Sequence, residues 1–287
     1  MGAPAYADLN KPVKNVLNTG FGATGHSAEI KTTNPFALLT TKLELTHGAS
    51  LPKATVSFEK LHLATGALVT AELDTANKAK VGVKKTDLLP GLTYGVEVQT
   101  TLKALAPQEK VVTNIEYVKR ELGLSFVGEM TCAKGVALAK DQLIFARGNF
   151  AAGAQTDFDV KTMAFKSYDV GAAYDLPSTQ IVAQIKNSAT TAQVAVVQTV
   201  NKNLAVAVET VYGLKTKDVS ATVGAQYVVD NATVVRAKVN QAADTSVALG
   251  VVRRIAQGIK ATIGVEANVK NIADVKYGVA IVLDDRI

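Results

Sequence analysis

From about residue 25 to residue 284 the chain repeats with a period of two. Residues 92–99 alternate apolar with polar or small side chains, and so do residues 219–227, 259–266 and 275–281. That alternation puts one kind of side chain on each face of an extended strand, so the pattern predicts β-structure. Turn residues separate the runs at Leu89-Pro90-Gly91, Val229-Asp230-Asn231, Ala256-Gln257-Gly258 and residues 200–203. Counting by this rule predicts about nineteen strands, at roughly fourteen residues per strand and turn. A tilted strand of about ten residues crosses a bilayer, and short turns account for the rest. Between residues 131 and 165 the alternation is least regular, and the count could move by one there.

Residues 5–19 follow a different period. Tyr6, Leu9, Val13, Val16 and Leu17 recur at helical spacing, with Asp8, Lys11, Lys14 and Asn15 on the other sides. Pro12 lacks a backbone donor and is expected to bend or interrupt this helix. Gly20, Gly22 and Gly25 then end it and supply a flexible hinge. The expected organisation is therefore an N-terminal helix and hinge over residues 1–24 and a transmembrane β-barrel over 25–287. No second helix and no shift in composition marks a further boundary.

The two strand parities differ in kind. One carries Val, Leu, Ile, Ala, Tyr and Thr, the other Thr, Ser, Gly, Gln, Asn and nearly all the charges. Alternation cannot say which parity faces outward, but strand number can. About nineteen strands enclose a space too wide for small side chains to fill, so the interior must be wet and the apolar parity must face lipid.

Composition narrows the chemistry. Of 287 residues, 48% are hydrophobic and 20% charged, too apolar for disorder. Thirty-one basic against twenty-five acidic residues give a net charge of +6, without a Lys/Arg cluster of the kind nucleic acid requires. A single cysteine, Cys132, excludes an internal disulfide framework and a CxxC site. His26, His47 and His62 lack ligand-like spacing, so neither a metal nor a cofactor is expected. The longest apolar runs span about five residues, against roughly twenty for a spanning helix. The first residues lack the basic and apolar regions of a secretory signal.

Gly20-Phe21-Gly22-Ala23-Thr24-Gly25 satisfies GxGxxG, but dinucleotide binding needs a strand before it and a helix after it. Here the order is reversed, and the segment reads as the hinge. The sequon at Asn231-Ala232-Thr233 is expected to be idle without secretion. No nucleophile elbow, Walker A or HExxH pattern occurs, and an enzyme is not expected.

The chain resembles the voltage-dependent anion channels, or mitochondrial porins. The opening Tyr6-Ala7-Asp8-Leu9-x-Lys11 before a glycine-rich joint is similar to that family's N-terminal helix. The segment 227–240, with Tyr227, Asp230 and Ala237-Lys238-Val239-Asn240, resembles its signature, and Ser246-Val247-Ala248-Leu249 falls where that signature continues. Asn231 and Gln241 depart from it. The resemblance implies an all-β, nineteen-stranded transmembrane barrel of the mitochondrial outer membrane with the helix inside the pore. An odd strand number makes the first and last strands parallel. It also implies a voltage-gated, weakly anion-selective channel passing ATP, ADP, phosphate and small organic anions. A protein-import channel of the same fold and a non-conducting structural barrel are the alternatives. Membrane lipid, permeant nucleotides, a homo-oligomer and other mitochondrial membrane complexes are the expected partners.

A wide pore selects by the charge of its wall. Parity places Lys42, Lys80, Lys84, Arg236, Lys238, Lys260 and Lys276 on the inner face, where basic residues slightly outnumber acidic ones. Lys11 and Lys14 are the strongest candidates for selectivity, because a helix across the lumen puts its charges at the narrowest point. The resemblance carries nucleotide contact onto Lys11 and onto Leu249 and Gly250. It matches the lipid-facing glutamate of animal members to Ala71, leaving Glu72 on the inner face.

Overall fold

A computed structural model describes residues 4–22, 25–34, 37–46, 51–62, 65–101, 110–242, 244–271 and 275–285. Nineteen strands run through it. The first ten are β1 (Gly25–Asn34), β2 (Ala37–Thr46), β3 (Lys53–His62), β4 (Ala67–Asp74), β5 (Lys78–Leu89), β6 (Leu92–Thr101), β7 (Lys110–Lys119), β8 (Leu124–Ala133), β9 (Val136–Arg147) and β10 (Phe150–Asp159). There follow β11 (Ala164–Asp175), β12 (Thr179–Lys186), β13 (Thr191–Thr199), β14 (Leu204–Gly213), β15 (Val219–Val228), β16 (Thr233–Gln241), β17 (Ser246–Ala256), β18 (Ile259–Asn268) and β19 (Val275–Asp284). The irregular stretch between 131 and 165 resolves into the end of β8, all of β9 and β10, and the start of β11.

All nineteen strands belong to one sheet in which sequence neighbours pair, and β1 pairs in parallel with β19 from Ser27 opposite Ala280 to Lys31 opposite Asp284. The sheet is thereby closed, a β-barrel with an odd strand number. Closure removes the free edges that a membrane strand could not hydrate.

Residues 1–9, 32–41 and 53–172 form one compact unit, and residues 10–31, 42–52 and 173–287 a second. In the first, a 3-10 turn at Tyr6–Asp8 lies against β9 and β10, with Tyr6 and Ile144 buried. In the second, the helix α1 (Lys11–Leu17) lies against β13, β14 and β15, burying Val13, Val16 and Leu17.

The single helix expected over 5–19 is therefore two pieces, and Pro12 decides where the α-helix begins. Its ring crowds the carbonyl four residues back, at Asp8, and it cannot donate to it. The proline is tolerated only in the first turn, where it sits. Lys11 and Lys14 project from the exposed side of α1.

Both parities keep their assignment wherever pairing is recorded. Across β17, β18 and β19 the row Leu249, Val265 and Tyr277 is in register and exposed by 56%, 40% and 57%. A soluble protein would not leave such rows bare; hydrocarbon solvates them. At the turn after β15, Asp230 accepts a hydrogen bond from the Ala232 N–H at 2.7 Å. That bond above all holds its carboxyl below the ordinary range.

Candidate functional site

The polar parity of β13–β19 meets the N-terminal segment through side chains of three kinds. The first are hydrogen-bonding groups beside the start of α1. Asn10 Nδ2 donates to Glu209 Oε2 at 3.0 Å, and the same carboxylate accepts from Gln193 Nε2. Gln193 in turn accepts from Lys186 Nζ. Asn10 and Gln193 are both buried, and this chain of bonds satisfies the Gln193 amide and the Asn10 Nδ2, leaving the Asn10 Oδ1 unsatisfied.

The second kind is cationic. Arg236 on β16 donates from Nη1 to the carbonyl oxygens of Asn15 and of Thr19, the latter at 2.6 Å. These carbonyls lie at the C-terminal end of α1, where the last turn leaves acceptors without helical partners and the helix dipole favours positive charge. One guanidinium thus caps the helix and fixes the start of the linker. Two residues along β16, Lys238 Nζ stands 4.6 Å from the centroid of the Phe21 ring, a cation–π contact.

The third kind is the absence of a side chain. Gly250, Gly264 and Gly278 are directly opposite one another on β17, β18 and β19. They form a groove of bare backbone on the polar face, and the linker Gly20-Phe21-Gly22 lies in it. A Cβ on Gly264 would overlap the Phe21 carbonyl and approach Gly22 N to 3.0 Å. One on Gly250 would overlap the Gly20 carbonyl and come within 3.1 Å of Phe21 Cα. One on Gly278 would overlap the carbonyls of Gly22 and Gly25. Gly20 and Gly22 themselves hold φ of +79° and +58°, which a side chain would strain.

Gly20 and Gly22, expected as a hinge, belong to a strap docked on the wall. Positive φ lets the strap turn, and the opposing glycines let it sit on the wall. Sequence reading identified Gly20, Gly22 and Gly25 but missed the groove and the anchoring role of Arg236. Its signal was present, since Gly250, Gly264 and Gly278 share the inward parity of three successive strands.

The remaining site residues fall as follows. Lys42 pairs with Glu44, and Lys80 lies 3.2 Å from Glu72 on the neighbouring strand. Lys276 stands opposite Glu266. Lys84 shares a recess of about 330 Å³ with Glu97, Asn114 and Glu116, and Lys260 lies on the same parity as Gly264. Several wall cations therefore have a carboxylate on the same face beside them.

Gly250 lies on the polar face, beneath the Gly20 carbonyl. Leu249 lies on the apolar face, so its side chain points away from the surface where a nucleotide would be met. Ala71 is on the apolar face between Phe58 and Val81, and Glu72 is on the polar one. Gly278 is on the polar face, buried beneath the linker. His47 falls outside the described residues.

Known proteins agree with this architecture. A family profile described as eukaryotic porin matches residues 2–278. The mitochondrial outer membrane protein porin of Candida albicans is 22% identical over 277 residues, covering 96% of this chain and 95% of the relative. Mitochondrial outer membrane protein porin 2 of Oryza sativa subsp. japonica is 23% identical over 133 residues, 46% of either chain. Among solved structures, an engineered variant of Rhodopseudomonas blastica porin aligns with a TM-score of 0.51 at 15% identity, over 75% of this chain and 90% of its own. That last likeness concerns the fold alone. With its closed nineteen-stranded sheet, lipid-solvated outer face and family match over nearly its whole length, the chain belongs to the eukaryotic porins, as a porin-type channel of the mitochondrial outer membrane.

Proposed function

We propose that this porin is a voltage-gated, weakly anion-selective channel for small metabolites, with nucleotides, inorganic phosphate and small organic anions as permeants. The observation that carries the reading is the docked N-terminal segment. A helix fastened to the polar wall by Arg236 narrows the path, and its two lysines face away from that wall. Charges screened within about 8–10 Å at physiological salt act on an ion only where the path is narrow. Lys11 and Lys14 then weigh more than lysines on the wall, where the path is wider. The same geometry supports gating by voltage, because a charged element held by a few polar contacts can be displaced by a field acting on its charge.

Refolded protein in a planar bilayer tests this. Stepwise conductance that falls at high voltage of either sign is expected, with a reversal potential in a salt gradient on the anion side. Changing Lys11 and Lys14 together to Glu should move that potential toward cations. An unchanged potential would assign selectivity to the barrel wall, and silent bilayers would favour a structural barrel.

A further inference from the structure

Among the described, paired strand positions on the apolar face, one carboxylate occurs: Asp141. It lies midway along β9, directly opposite Gly128 on β8 and Thr156 on β10. Leu143, two residues on, is 50% exposed on that face, and so is Phe145 at 48%. The carboxylate leans over Gly128, where its Oδ1 comes within 3.3 Å of the place a Cβ would occupy, and the Phe126 ring edge closes the space at the same distance. Among the described residues no ion pair or hydrogen bond engages it. Basic side chains on this face, such as Lys119 and Arg147, sit at strand ends, where long stems can reach the headgroups.

A charge at mid-membrane is costly and marks a functional site unless it has a partner. Gly128 leaves a notch one side chain deep in which the Asp141 carboxylate and the edge of the Phe126 ring lie, so the acid is held against the strand and a partner's cation must come to it there. We propose that this notch binds the membrane-spanning segment of a partner protein that carries a lysine or arginine near mid-membrane. Lipids do not fit, because their cationic or hydroxyl groups lie at the interface while Asp141 lies at the strand centre. A second copy does not fit either. It would bring its own Asp141, and the described basic residues of the apolar face stand toward strand ends.

The test uses the full chain in phosphatidylcholine vesicles, with a donor fluorophore on its one cysteine, Cys132, which is exposed on β8 beside the notch. The probe is a synthetic polyleucine helix with one central lysine and an acceptor; the control helix has leucine there. Energy transfer should report association on the order of tenfold tighter for the lysine helix. Asp141→Asn should reduce it to the control level, and Gly128→Leu, which fills the notch and keeps the acid, should weaken it too. Asp141→Glu should retain it. Equal binding to the parent and Asp141→Asn would overturn the proposal. Transfer between channel copies, abolished by Asp141→Asn while the lysine helix binds no better than the control, would assign the notch to a second copy and overturn it equally. Each variant's bilayer conductance is recorded alongside, so a failure of the channel reading is seen separately.

Discussion

Replacing Gly264 by alanine should release the N-terminal segment from the wall. The added methyl would occupy the space of the Phe21 carbonyl and press within 3.0 Å of Gly22 N. Both obstacles are backbone, so no side-chain rotation relieves the overlap and the strap must lift out of its groove. Lifting Phe21 removes it from Lys238, a contact worth about 0.5–2 kcal/mol. It also pulls Thr19 away from Arg236, and a hydrogen bond to a charged donor contributes roughly 1.5–3 kcal/mol. Together these shift the docked fraction by about 30- to 4000-fold, since about 1.4 kcal/mol is a factor of ten. The assay follows a thiol at the buried position 17, installed as Leu17→Cys in a Cys132→Ser background. With Gly264→Ala added, that thiol should react at least tenfold faster with a membrane-impermeant maleimide. Gly95→Ala is the matched control, because a Cβ there meets nothing closer than 3.5 Å. Equal rates in the glycine and alanine backgrounds would refute the groove as the device that seats the strap.

Arg236→Gln should expose the same thiol by removing the charge that caps α1, with the barrel still inserted; normal protection would mean that Asn10 and Glu209 suffice to hold the helix. Val223→Arg, on the apolar face, should impair insertion at a cost of about 2–4 kcal/mol if it lies near mid-membrane, read as the shift of an unfolding titration in lipid. Thr222→Cys should react with polar thiol reagents and partly block current, while Gly278→Cys should react slowly beneath the strap and perturb gating. Reversed reactivity, with cysteines at 96 and 223 labelled and those at 93 and 222 silent, would mean a one-residue register slip.

The two faces of each strand were legible in the chain because a period of two is a local property. Val223, Leu249 and Ile263 mark one face by alternating with Thr222, Gly250 and Thr262, and the strand number turns that face toward lipid. The length of the repeat and the number of runs, both countable without contacts, led to about nineteen strands, and the family resemblance supplied the odd number that closes β1 on β19 in parallel. What alternation does not record is which residues meet across hundreds of positions. Arg236 reads as one more wall cation until the carbonyls of Asn15 and Thr19 arrive beside it, more than two hundred residues away in sequence. Gly250, Gly264 and Gly278 read as ordinary small residues until pairing sets them side by side and the strap fills the row. The start of α1 depended on both levels: Pro12 forbids a continuous helix locally, and the apolar side of residues 13–17 finds its surface only once β13, β14 and β15 are assembled. Local pattern therefore determined the barrel, since each strand's environment is fixed by its own alternation. Tertiary structure decided where the N-terminal segment docks, since a groove exists only where separate strands bring their missing side chains together.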